Sequence, residues 1–111
     1  MSVYQREIVE VNFQLPDRTF EPHPIVVISN NNVFDVEDIF YGLMISTKIF
    51  NPDFEFEITD EMVSKPFPMK SYVKCQLIQS YQENEILNRF GSMGKEHFDK
   101  LMEKLFQSVF Q

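Results

Sequence analysis

The chain has no tryptophan, one cysteine, two histidines and three glycines among its 111 residues. A single cysteine, Cys75, excludes an internal disulfide and suits a reducing, cytoplasmic setting. His23, His97 and Cys75 show no metal-ligand spacing, so neither a metal nor another cofactor is expected. The glycines form no phosphate-binding loop, because "GSMG", residues 91–94, lacks the Lys-Ser/Thr that such a loop needs. Long apolar runs are missing as well. "IVVI" and "GLMI" are far too short to cross a bilayer, and the opening "MSVYQREIVE" carries charges where a secretory signal has an apolar stretch. Basic residues are few. Ten Lys and Arg against 17 Asp and Glu give a formal net charge of −7. The overall field therefore repels nucleic acid, and phosphate binding would need a local basic patch.

What is present is apolar material for one core. Twelve phenylalanines, six methionines and 43% hydrophobic residues fit a single domain over residues 1–111. Neither a repeat nor a linker interrupts it, and the six prolines punctuate the chain between apolar segments. "EIVEVNF" alternates Val9, Val11 and Phe13 with Glu10 and Asn12, as a half-buried strand does. "QLPDRTFEPHP" is expected as a loop, "IVVIS" as a central strand buried on both faces, and "NNNVFDVED" as a turn. "IFYGLMIST" is the next strand, where Gly42 suggests a bulge or a close backbone approach. "FEFEIT" alternates Phe54, Phe56 and Ile58 with Glu55, Glu57 and Thr59. The two glutamates are expected on a solvated edge.

"SYVKCQLIQSY" places Val73, Cys75 and Leu77 on one face and Tyr72, Lys74, Gln76 and Ile78 on the other. From Lys95 the period becomes helical, through Phe98, Leu101, Met102, Leu105 and Val109. Gly94 is the expected N-cap, and Glu96 with Lys100 the expected i,i+4 pair. Five or six short strands and one C-terminal helix predict a mainly β small barrel or strongly curled sheet.

Three polar groups stand beside buried strands. They are His23 before "PIVVIS", Ser46 with Thr47 at the end of "GLMIST", and Lys74 with Gln76 on the outward face of "SYVKCQL". Each also has a structural reading, with His23 packing against its loop. If they meet, a histidine moves protons, a lysine stabilises charge on phosphate and hydroxyls hold its oxygens. That set suits phosphodiester chemistry. Cys75 reads as core rather than nucleophile, and His97 as a surface residue.

The order of segments resembles the MazF/PemK/Kid family of toxins from toxin–antitoxin modules. "QREIVEVNF" stands where the family has "RGEIW-V-L". "EPHPIVVISN" stands where it has "R-P-V-L-V-I-S-N", "GLMIST" where a strand ends in "P-I/V-T-S", and "YVKCQLIQSY" where it has "V-x-C/L-D/E-Q-x-R-T-I". "EILNRFGSMG" is similar to its tail before the last helix. The resemblance runs from about Gln5 to Phe110. It implies an SH3-like or CcdB-like barrel, a homodimer, a cognate antitoxin whose acidic tail fills the groove, and metal-free cleavage of single-stranded mRNA by 2′-OH attack.

The same resemblance implies catalytic roles for His23, Lys74, Ser46 and Thr47, and substrate binding by Arg18, Lys70, Gln76 and Gln79. Lys65, Lys70 and Lys74 are the expected basic patch, and the Gln14–Pro22 loop with Arg18 borders the groove. The chain departs from the family at four of these posts. His23 replaces an arginine, Lys74 a frequent arginine, Gln76 an acid and Gln79 an arginine. Lysine lacks the bidentate fork of arginine, and glutamine takes no proton. A barrel that only binds protein, as the related CcdB toxins bind gyrase, or only binds RNA, is the alternative these departures raise.

Overall fold

The computed structural model describes residues 2–111. Six strands form one antiparallel sheet in the order β4-β5-β3-β2-β1-β6. They are β1 (Glu7–Gln14), β2 (Phe20–Val27), β3 (Phe40–Ser46), β4 (Glu55–Ile58), β5 (Ser71–Tyr81) and β6 (Asn88–Ser92). Helix α1 (Asn31–Glu37) lies between β2 and β3, and α2 (Lys95–Leu105) closes the chain, continuing through a wider π turn over Phe106–Phe110. The sheet curls until its edges are joined by a single bridge, Val63 to Met93. Ser64 N donates to Ser92 O at 2.9 Å beside it, and Gly94 N to Met62 O at 2.8 Å. The result is an incompletely closed barrel with a C-terminal helix, the class expected from the sequence. Among the described residues no helix is long and apolar enough to cross a membrane.

Both faces of the sheet are covered. Ile8, Val26, Leu43, Ile45, Val73 and Cys75 pack with Phe98, Leu101 and Leu105 of α2. Val9, Val11, Phe13, Ile25, Val27, Phe40, Met44 and Tyr81 form the second cluster. The alternation of β1 is as the sequence implies, and Ile25–Val27 are buried on both sides. Gly94 caps α2 as expected, its N-cap backbone extended at φ −63° and ψ 146°.

Several local expectations are corrected. "NNNVFDVED" holds α1 rather than a plain turn. Asn30 caps it by accepting from Val33 N at 3.1 Å, and Asp38 ends it in the left-handed region at φ 59°. The prolines of "EPHP" lie inside β2, which pairs with β1 through Pro22–Asn12, His23–Val11 and Pro24–Glu10. Pairing with β3 starts only at Ile25–Met44, so this half of β2 is an edge, where missing N–H groups are tolerated.

In β5 the register against β3 jumps between Leu43–Ile78 and Ile45–Val73. The extra β5 residues form a bulge that reverses the faces. Leu77 therefore joins the second cluster while Ile78 packs on the first. On α2 the i,i+4 pair is Lys95 with Asp99, at 3.0 Å, and Glu96 instead meets a half-buried His97 at 3.3 Å.

Candidate active site

The cleft follows from where β2 and β3 part. Beyond Ile25–Met44, β3 turns to β5 through Ile45–Val73 and Ser46–Tyr72. Pro22 and Pro24 have no N–H to extend a ladder on that side. The strands splay, and His23 faces the end of β3 across the gap. His23, Ser46 and Thr47 line two adjoining recesses. One, of about 280 Å³, is walled by Ile45, Phe67, Pro68, Met69 and Ser71. The other, of about 370 Å³, is walled by Thr19, Glu21, Lys48 and Phe50 among others. These three of the predicted site residues are brought together, though 23 and 24 residues separate His23 from Ser46 and Thr47 in the chain.

The His23 side chain is 18% exposed, with Nε2 3.3 Å from Oε2 of Glu21. Glu21 lies two residues earlier in the same strand, so both side chains leave one face of β2. Ser46 is buried, and its Oγ accepts from Lys48 N at 3.2 Å, leaving its own O–H free to donate. Thr47 is exposed beside it. Ser71 Oγ donates to Met69 O at 2.9 Å and fixes the start of the apolar wall. The β1–β2 turn is tied by Asp17, which accepts from Thr19 N at 2.9 Å and from its hydroxyl at 2.6 Å. Those two bonds hold the Asp17 carboxyl below its ordinary pKa.

Lys74 is elsewhere than expected. It is fully buried rather than on an outward face, and its ammonium donates to Glu55 Oε1 and to Lys48 O. Phe50 covers it with a ring centroid 4.6 Å away, and the Tyr72 ring lies 5.5 Å away. Glu55, expected on a solvated edge, has only 6% of its side chain exposed. Lys74 thus lies behind the wall formed by Lys48 and Phe50.

The expected basic patch is dispersed in the same way. Lys70 is paired with Glu57 at 3.6 Å in a separate recess, and Lys65 borders an apolar one with Pro66, Phe67 and Phe90. Arg18 stands at the exposed β1–β2 turn with φ 72° and lines neither recess. Gln79 is occupied, donating to Gln14 O at 2.7 Å and accepting from Tyr81 O–H at 2.8 Å. Gln76 is half-buried with its Oε1 unpaired. Lys48 is the cation that does line the cleft, and the sequence reading passed over it. Its only signal was its place directly after Ser46-Thr47. Cys75 is buried, and burial pushes its thiol up to about 11. Among the described residues no three His, Cys, Asp or Glu side chains are grouped as metal ligands.

Comparison with known proteins gives a consistent picture. No curated protein matches the chain by sequence. Among solved structures, MazF (Form-I) from Deinococcus radiodurans is similar with a TM-score of 0.78 at 12% identity, over 100% of this chain and 99% of that one. An endoribonuclease from Mycobacterial species gives 0.77 at 13% identity, over 98% and 92%. An endoribonuclease in complex with its cognate antitoxin, also from Mycobacterial species, gives 0.77 at 13%, over 97% and 95%. At such identities these likenesses establish the fold. The family profile for a PemK-like, MazF-like toxin of type II toxin–antitoxin systems matches residues 4–109, nearly the whole chain, and the chain therefore belongs to that family.

Proposed function

We propose that this protein is the toxin of a type II toxin–antitoxin pair, acting in the cytoplasm as an endoribonuclease that cuts single-stranded mRNA in the β2–β3 cleft. The observation that carries this reading is the meeting of His23, Ser46 and Thr47 at an open cleft, in a chain matched to the toxin family over residues 4–109. His23 takes the proton of the 2′-OH. The O2′–P bond forms, the P–O5′ bond breaks, and the leaving 5′ oxygen takes a proton from water at the cleft mouth. The products are a 2′,3′-cyclic phosphate and a 5′-OH. Ser46 and Thr47 hydroxyls hold the phosphate oxygens, and Lys48 supplies the nearby positive charge. Single strands suit an open cleft with apolar walls, because unpaired bases can turn out of the backbone and lie against Phe50 or Met69.

A cognate antitoxin belongs to the same reading, supported by the antitoxin complexes of similar fold, and homodimer formation belongs to it through the family resemblance alone. The test is incubation of the purified protein with long single-stranded RNA in excess chelator. Discrete fragments with cyclic-phosphate ends are expected, and His23→Ala should slow cleavage by about 10²–10⁴-fold, the usual contribution of a general base. Cleavage unaltered in both His23→Ala and Ser46→Ala would refute the assignment. Absent cleavage with intact antitoxin binding would favour a barrel that only binds. The dispersed basic patch and the occupied Lys74 and Gln79 are what keep that second reading in play.

A further inference from the structure

The Lys74–Glu55 pair lies outside the mechanism just described, and its placement asks for a role. The two residues are direct cross-strand partners in the β4–β5 register. A buried ion pair is costly to desolvate, and an apolar pair of similar volume generally serves packing as well. What distinguishes this one is where its remaining hydrogen bonds go. Residues 47–51 form no regular structure, and Thr47, Lys48, Ile49 and Phe50 are all exposed. Three of this loop's backbone groups end on the pair. Lys48 O accepts from the Lys74 ammonium, while Phe50 N and Asn51 N donate to Glu55 Oε2 at 3.4 and 3.3 Å. The Phe50 ring then lies over the ammonium. Moving the loop would uncover the buried pair and take one acceptor from the ammonium and two donors from the carboxylate.

We propose that Lys74 and Glu55 are positioning residues that hold the loop of residues 47–51 preformed as the RNA-binding wall of the cleft. They act through Lys48, which meets phosphate, and through Phe50, whose 47% exposure leaves a surface for a base. A preformed wall spares RNA binding the cost of ordering that stretch of backbone. The proposal rests on the reading above for what the wall binds. The dependence of the loop on the pair does not require RNA.

The test therefore has two arms. In the first, hydrogen exchange of the unaltered protein should show Phe50 and Asn51 amides protected like strand amides, despite their exposed loop. Rapid exchange there would overturn the proposal without any variant. Two double variants follow. Lys74→Met with Glu55→Leu replaces the pair by apolar side chains. Lys74→Glu with Glu55→Lys keeps opposite charges but exchanges their positions, setting a carboxylate on the strand that serves Lys48 O and an ammonium on the strand that serves the loop amides. Both should lose protection at Phe50 and Asn51 while amides of the β3–β5 ladder stay slow.

In the second arm, a 2′-O-methyl oligonucleotide, which lacks the attacking hydroxyl, should bind about tenfold more weakly to both double variants. KM for RNA should rise, and kcat should fall with it, because Thr47 and Lys48 of the same loop hold the reacting phosphate. An ion pair serving packing alone would be restored by the inverted variant, and that restoration would sink the proposal. Protected loop amides in a protein that neither binds nor cuts RNA would leave the positioning role standing and defeat the endoribonuclease reading.

Discussion

Gly42 is a position where a single methyl group should be costly for its size. It lies in β3 opposite Val27 of β2 and Gln79 of β5. A Cβ there would overlap Cδ1 of Ile25 and sit 3.1 Å from its Cγ1 and 3.2 Å from its Cβ. Ile25 has no exposed surface and belongs to the cluster of Phe13, Met44 and Tyr81, so it has no free volume to swing into. Gly42→Ala gains about 0.5–1 kcal/mol from reduced freedom of the unfolded chain. Overpacking costs about 1–3 kcal/mol. The difference spans about 0–2.5 kcal/mol and centres on a net loss of about 1 kcal/mol, with a fall in Tm of roughly 4–8 °C per kcal/mol for a domain near this size.

Ile25→Val removes the overlapping Cδ1 and by itself should cost about 0.5–1.5 kcal/mol. In the double variant the overlap disappears, although the two contacts nearer the backbone stay tight. The double-mutant cycle should then show about 1 kcal/mol of favourable coupling. Urea denaturation with an unchanged m-value measures all three variants. A double variant whose loss equals the sum of the singles, within about 0.3 kcal/mol, would refute the steric account.

The Cys75 thiol titrates near 9.0 when unfolded and is pushed up to about 11 by burial. The unfolded chain therefore releases this proton first. Stability is complete below about pH 9 and falls as pH rises toward 11, by about 1.4 kcal/mol per pKa unit. Denaturant titrations at pH 8 and 10.5, against Cys75→Ala at both, isolate the contribution, and a pH effect unchanged in the variant would contradict it. Asn30→Ala removes the acceptor for Val33 N at the start of α1. It should cost about 1 kcal/mol and raise hydrogen exchange in residues 31–37 alone, since α1 buries none of its residues. A loss spread over the whole sheet would show that the cap does more than hold its helix.

Much of the frame was legible because its signals are local. β1 alternates with period two, and α2 combines helical spacing with a glycine cap. Such patterns need no knowledge of distant neighbours. Helix α1 escaped because its seven residues bury nothing, so no apolar period marks them. The β5 bulge escaped because alternation carries no sign of inserted residues, and the three extra residues here exchanged the faces of Leu77 and Ile78. The prolines of β2 were read as a loop by a rule that holds for central strands. Whether a strand is central depends on where its neighbour goes, and β3 leaves β2 at Met44.

By itself, then, the sequence determined the class of fold, the buried run of Ile25–Val27, the C-terminal helix and the toxin-family order of segments, since each rests on residues close together in the chain. Tertiary structure alone decided that His23 meets Ser46 and Thr47, because only the splaying of β2 from β3 brings them to one cleft. It alone decided that Lys74 is buried. A lysine on the polar face of a strand reads as exposed, and its true environment depends on Glu55, 19 residues away, arriving directly opposite it across the β4–β5 ladder. Charge burial is set by partners that pairing delivers, and a linear pattern holds no record of them.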